Sequence, residues 1–353
     1  MKRKLLPLAV AAAMGMSGVA MAEGVNGPKV YGKAKIAFGS YDTDTYNAED
    51  NTTENYKEWN LKSFASRFGV KGDAKLNNDM KAFYKFEWEV DLDDDGSMAD
   101  DGKNDDLKER NRYVGLAFGN AGSVKFGHFD TPVKVSQGKV DLYGDFQPDI
   151  AKDDVFKGDN RRSNQINYTS PKIADSFAVS VSVFPGEGGS ADGNSTDDGI
   201  ADYFSMNATY AANGLYLAFA TESDVYNKVA EDHADVTRLV ANYEGDGFTV
   251  GGMYEMGEAE DEATKEKNES TMLLLSGKFG LTETLYLKGQ IATGEEESSS
   301  PGSETTTGDV SKYTFGVEQK MGKKTSGQVY YSTFEREKDE ERTELVFALT
   351  HSF

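Results

Sequence analysis

Apolar and polar residues alternate along much of this chain with a period of two. In KVYGKAKIAFG, Val30, Gly32, Ala34, Ile36 and Phe38 share one parity, and Tyr31, Lys33 and Lys35 share the other. MKAFYKFEWEV sets Ala82, Tyr84, Phe86, Trp88 and Val90 against Lys81, Lys85, Glu87 and Glu89. Near the end, Leu345, Phe347, Leu349, His351 and Phe353 alternate with Glu344, Val346, Ala348, Thr350 and Ser352. Successive side chains of a strand point to opposite faces, so the pattern predicts strands with one apolar and one polar face. Roughly ten such residues cross a bilayer when tilted.

The connections between these stretches fall into two alternating kinds. Seven are short: LNND (76–79), FGNAG (118–122), PKIADS (171–176), AANG (211–214), EGDG (244–247), FGLTET (279–284) and KMGKKTS (320–326). Eight are acidic and rich in Ser, Asp and Gly, near 40–58, 91–109, 131–162, 185–201, 221–235, 257–270, 293–310 and 335–342. Fifteen connections imply sixteen antiparallel strands. Short turns at one rim, long loops at the other and an even strand count fit a transmembrane β-barrel. A soluble β-sandwich would bury its apolar faces against each other on shorter strands. Here the opposite faces carry Lys, Arg and Glu throughout, which suits a barrel closed around water. The expected class is all-β, one barrel domain over 23–353 with periplasmic short turns and external loops.

Composition narrows the picture. Twenty Phe, 18 Tyr and 37 Gly, with mean hydropathy −0.60, argue against disorder and for a barrel with a polar lumen. There is no cysteine, so neither a disulfide nor a zinc-thiolate site is available. The start, MKRKLLPLAVAAAMGMSGVAMA, has the basic, apolar and small-residue order of a secretory signal, with cleavage expected after Ala22. The chain carries −22, and loss of Lys2, Arg3 and Lys4 leaves the exported part near −25. Such a surface repels nucleic acid.

KVYGKAKIAF, SRFGVKGDAKLNNDMKAFYKFEWEVD, RNRYVGLAFGNAGSVKFGHFDTP and NQINYTSP, in this order, resemble the trimeric general diffusion porins of Gram-negative bacteria. The resemblance spans nearly all of the exported chain and implies an outer-membrane homotrimer passing small hydrophilic solutes and ions. It implies contact with lipid and lipopolysaccharide, and a terminal Phe353 read by the barrel assembly machinery. In such porins the third external loop folds into the lumen and its acids face a basic wall. By position that loop is Thr131 to Arg162, whose apolar Val140, Leu142, Tyr143, Phe146 and Ile150 suggest packing. The acidic candidates are Asp141, Asp145 and Asp149, followed by Asp153 and Asp154. For the wall, Lys33, Arg67 and Arg161 match basic family positions, with Arg162 adjacent.

Two departures accompany the resemblance. His128 stands where many relatives carry arginine, and alternation groups it with Val124 and Phe126 on the lipid side; only a bulge near Gly127 would turn it inward. Lys125 has lumen parity unaided. The loop also lacks the acidic motif best known from enterobacterial relatives, so VDLYGDFQPD is aligned by position.

The leading function is a passive channel without cofactor, with a preference for cations from the negative charge. Alternatives are a ligand-specific porin for sugars or anions, an outer-membrane barrel enzyme, and a non-conducting structural barrel. The three histidines, His128, His233 and His351, show no nucleophile at a readable spacing. DLDDDGSMADDG (91–102) resembles half of an EF-hand loop, but Gly102 stands where a bidentate Glu belongs. What survives is loose collection of a divalent cation by Asp91, Asp93 and Asp95.

Overall fold

The computed structural model describes residues 25–47, 52–93, 107–153, 155–185, 199–201, 203–227, 232–260, 264–302 and 305–353. The expected leader, Asp95 and Asp154 lie outside these residues. The strands are β1 (Val25–Asn47), β2 (Thr52–Ser63), β3 (Arg67–Lys75), β4 (Met80–Val90), β5 (Leu107–Phe118) and β6 (Ser123–Asp130). They continue with β7 (Arg161–Thr169), β8 (Phe177–Phe184), β9 (Tyr203–Ala212), β10 (Leu215–Asn227), β11 (Asp232–Gly245) and β12 (Phe248–Glu260). The last are β13 (Lys267–Gly280), β14 (Leu285–Ser299), β15 (Thr306–Lys320), β16 (Thr325–Arg336) and β17 (Glu340–Ser352).

These seventeen segments make sixteen staves, because β2 and β3 are halves of one kinked strand running beside β1. The kink at Phe64–Ser66 stays stitched to β1: the Lys35 amide donates to Ser66 Oγ at 2.8 Å, and that hydroxyl donates to the Lys35 carbonyl at 2.9 Å. Every neighbour pair is antiparallel, and β1 pairs with β17, which closes the sheet. Closure leaves no strand edge to lipid, where unpaired backbone groups would cost several kcal/mol each. At the seam the Phe353 amide donates to the Gly32 carbonyl at 3.0 Å. The Phe353 ring lies so close to Gly32 that a Cβ there would come within 2.1 Å of it.

The alternation read from the sequence is the alternation of the barrel wall. Phe38, Leu345, Phe347 and Leu349 are exposed on the outside, while Ala37, Glu344, Val346 and Ala348 are buried inside. Several stretches expected to be loops are instead strand. β1 and β2 extend to Asn47 and from Thr52, β10 reaches Asn227, β14 runs through Glu295–Glu297, and only residues 337–339 separate β16 from β17. Acidic sequence marks where the wall leaves lipid for water, not where backbone pairing stops. Beyond the bilayer a polar ladder keeps its hydrogen bonds and exposes its charges at little cost.

Candidate functional site in the barrel lumen

The segment between β6 and β7 turns into the barrel. Pro132–Ser136 forms a short helix, α1, started by Thr131, whose Oγ1 accepts the Lys134 amide at 3.2 Å. Proline at the first turn and threonine before it are ordinary start signals. The inner wall holds it: Asn207 Nδ2 donates to the Pro132 carbonyl at 2.7 Å, and Tyr216 OH to the Ser136 carbonyl at 2.9 Å. Further on, the Leu142 amide donates to Gln290 Oε1 at 2.8 Å and Tyr143 OH to the Lys288 carbonyl at 3.2 Å.

The loop's apolar residues explain why it stays. Val140, Ile150, Val155 and Phe156 pack on Val240, Met253, Met272, Leu274 and Val310 of the wall. Tyr143 and Phe146 pack on Ala37, Tyr41, Phe64, Tyr330 and Val346. At roughly 1.5–3 kcal/mol for each large apolar side chain buried, these contacts outweigh any single ion pair at an exposed site. The loop therefore lines the β9 to β17 and β1 side of the lumen and leaves the β3 to β7 side open.

Three acids fasten it. Asp145 meets Arg67 Nη1 and Nη2 at 3.1 and 2.6 Å, Lys35 at 3.4 Å, Arg110 at 3.6 Å and Lys33 at 3.7 Å. Asp153 receives Arg342 at 2.6 Å and Lys312 at 2.8 Å, and its carbonyl accepts Arg336 Nη2 at 2.6 Å. Asp159 meets Arg238 at 3.0 Å, and Arg238 also holds Glu255. Burial alone would raise the Asp145 carboxyl, but Lys35, Arg67 and Arg110 outweigh it and hold it well below the usual carboxylate range. Lys312 and Arg342 likewise hold Asp153 low against its burial.

Two water chambers flank the loop. The outer one, about 800 Å³, lies between the loop and the β3 to β7 wall. The inner one, about 640 Å³, opens toward the short turns. Asp141 and Gly144 line both, so the chambers meet there, and Lys35 lines the inner one beside them. The Lys35 ammonium donates to the Gly144 carbonyl at 2.6 Å across that throat.

Of the residues singled out by sequence, Lys33, Arg67 and Asp145 come together directly. Arg161 faces the outer chamber but pairs with Asp130 at 2.8 Å instead of the loop. Arg162 stands opposite Phe129 in register. Lys125 lies over the rings of Phe129 and Tyr113, 4.0 and 5.3 Å from their centroids. Asp149 is used within the loop, accepting the amides of Asp145 and of Ala151. Asp91 is taken by Lys108 at 3.0 Å and lines the outer chamber with Asp93; no cation-holding cluster of three His, Cys, Asp or Glu occurs among the described residues.

His128 does not join the basic cluster. The bulge exists, with Gly127 at φ +142° and a register shift between Gly127 and Phe129. Its extra residue lies on β7, where Ser163 and Asn164 face His128 alone, so β6 keeps its parity and Phe129 faces inward with Lys125. His128 keeps the parity of exposed Phe126, and its Nδ1 lies 2.9 Å from Ser163 Oγ.

Sequence reading missed Lys35 and Arg110. Lys35 was visible, since it shares a face with Lys33. Arg110 was not: alternation from Tyr113 assigns it outward, and a register shift opposite Phe86–Trp88 turns it in. There it meets Glu89, at 2.5 Å, and Glu87, at 3.3 Å.

Asp141 differs from the fastened acids. Burial in the throat, with the Asp149 carboxylate nearby, pushes its carboxyl above the usual range. As pH rises through that raised value the throat gains a negative charge, so the ratio of cation to anion passage should rise. Reversal potentials from about pH 5 to about pH 9 should show that rise, well above ordinary carboxylate titration, and D141N should flatten it. An unchanged profile in D141N would remove Asp141 from the throat's titration.

Comparison with known proteins agrees with this architecture. A family model described as Gram-negative porin matches residues 9–339. The chain is 24% identical over 302 residues to the major outer membrane protein P.IB of Neisseria sicca, covering 79% of each. It is 27% identical over 319 residues to the outer membrane protein YedS of Escherichia coli, covering 82% of each. Among solved structures, the anion-selective porin from Comamonas acidovorans superposes with TM-score 0.68 at 16% identity, covering 92% of this chain and 99% of that one.

Proposed function

The chain belongs to the Gram-negative porin family and is an outer-membrane channel barrel; from that premise we propose that it passes small hydrophilic solutes and ions passively, with a weak preference for cations, as a homotrimer. The observation that carries this reading is the pair of polar chambers meeting at Asp141 and Gly144, with Lys35 on the inner side of the junction. A solute crossing there keeps most of its water, so size and field decide passage. The field comes from Lys33, Lys35, Arg67 and Arg110 on the wall against Asp141 and Asp145 on the loop.

The preference is weak because the lining is nearly balanced. Eight basic and nine acidic side chains line the outer chamber. The negative excess of the exported chain lies largely elsewhere, where it concentrates cations at the mouth and is screened by salt. A trimer draws support from the trimeric form of Vibrio cholerae OmpT, which shares the fold at TM-score 0.65. Lipopolysaccharide and the assembly machinery, read through Phe353, are the remaining partners of the proposal.

Planar-bilayer recording of the purified protein tests the reading. Current should step in groups of three, and reversal potentials in a salt gradient should show modest cation preference that grows at low salt. Persistent silence would overturn the channel, single steps the trimer, and clear anion preference the predicted selectivity.

A further inference from the structure

Charge is sorted along the barrel axis. At the short-turn end, Lys278 and Lys288 stand directly opposite each other on β13 and β14. Like charges in that register destabilise a sheet pair, and among the described residues only Glu318 sits between them, at 2.7 and 3.9 Å. Lys320 joins from β15, its ammonium 3.1 Å from Tyr286 OH. Lys278 and Lys320 both lie over the Tyr286 ring, 4.6 and 4.4 Å from its centroid. Lys288 is nearly buried, directed to Gln328 Oε1 at 3.0 Å, and Lys35 closes the top of the same chamber. Five lysines line this inner chamber against Asp141, Glu244 and Glu318, and Glu244 is already paired with Lys139.

We propose that this chamber is a binding site for small polyvalent anions, such as di- and tricarboxylates or phosphate, entered from the short-turn side. The inference rests on the channel reading. Its lysines are held by one shared carboxylate, a ring and an amide, so an incoming anion replaces weak partners and relieves the repulsion between Lys278 and Lys288. The outer chamber offers no equivalent, because its arginines already hold Glu87, Glu89, Asp130 and Asp145. Binding is therefore one-sided.

Citrate added to one side of single channels tests this, with orientation assigned by avidin binding to a biotinylated external loop. Citrate on the short-turn side should reduce the current at potentials that drive anions toward the throat, and citrate on the loop side should do so far less. K278Q/K288Q should weaken the block by about tenfold, the scale of losing two ion contacts at the edge of a water-filled lumen, with conductance in plain KCl retained. K278R/K288R should keep the block, and K320Q at the exposed rim supplies an independent partial loss. Equal block from both sides, or block unchanged in K278Q/K288Q and K320Q, would overturn the site. Silence in plain KCl would instead overturn the channel reading.

Discussion

Replacing Asp145 by Asn should move the channel toward anions by roughly tenfold in permeability ratio. The amide is isosteric and can still accept from Arg67, so the loop keeps its place while one negative charge leaves. Lys33, Lys35, Arg67 and Arg110 all lie within 3.7 Å of that carboxylate. A unit charge about 6 Å from a hydrated ion in water is worth about 0.7 kcal/mol, or roughly threefold, favouring the anion and opposing the cation in turn. The shift should shrink at high salt, where screening acts within a few ångströms. Reversal potentials in dilute KCl measure it. An unchanged value would mean that ions pass away from this cluster. D149N is the contrasting variant, because Asp149 is spent on loop amides and its loss should act through loop shape.

The barrel was legible because its physics is periodic. Alternation sorted Phe38 from Ala37 and Phe347 from Val346 without knowledge of any partner, since one face meets lipid whatever the neighbour. The short turns gave the number of staves, and Val140, Tyr143 and Phe146 marked a loop that packs. Sequence failed where the pleat slips. Arg110 lies beside a bulge that shifts the parity of β5 by one, and a one-residue error inverts the face, whereas His128 keeps the outward parity that alternation assigns. It also failed where partners come from distant strands. Nothing in DDVFKGDNRR ties Asp153 to Lys312 and Arg342, or Asp159 to Arg238, because closure of the barrel brings these strands to the loop.

Arg238 carries the largest stability effect expected in the lumen. Its side chain is fully buried, opposite Glu255 in register, with Nε 2.6 Å from Glu255 Oε2. Its other nitrogens reach Asp159 at 3.0 Å and the Val133 carbonyl at 3.2 Å. Glu255 Oε1 in turn accepts the Gly158 amide at 3.2 Å, so one guanidinium ties both ends of the inserted loop to β11 and β12. Glu222 is buried next to this group, bonded to Asn160 at 2.8 Å. The arrangement holds more carboxylates than cations: Lys134 approaches Asp159 only to 3.8 Å. R238M therefore leaves Glu255 buried without its charge partner and Asp159 with the Lys134 ammonium at 3.8 Å, a change costing about 3–5 kcal/mol. The expected result is a lower urea midpoint in lipid vesicles and protease cutting within residues 131–160, with the strands still paired. E255Q added to R238M should recover part of the loss, since the double variant removes one orphaned charge. R238M as stable as the parent, to within about 0.5 kcal/mol, would mean that apolar packing of Val133, Val155 and Phe156 alone holds the loop.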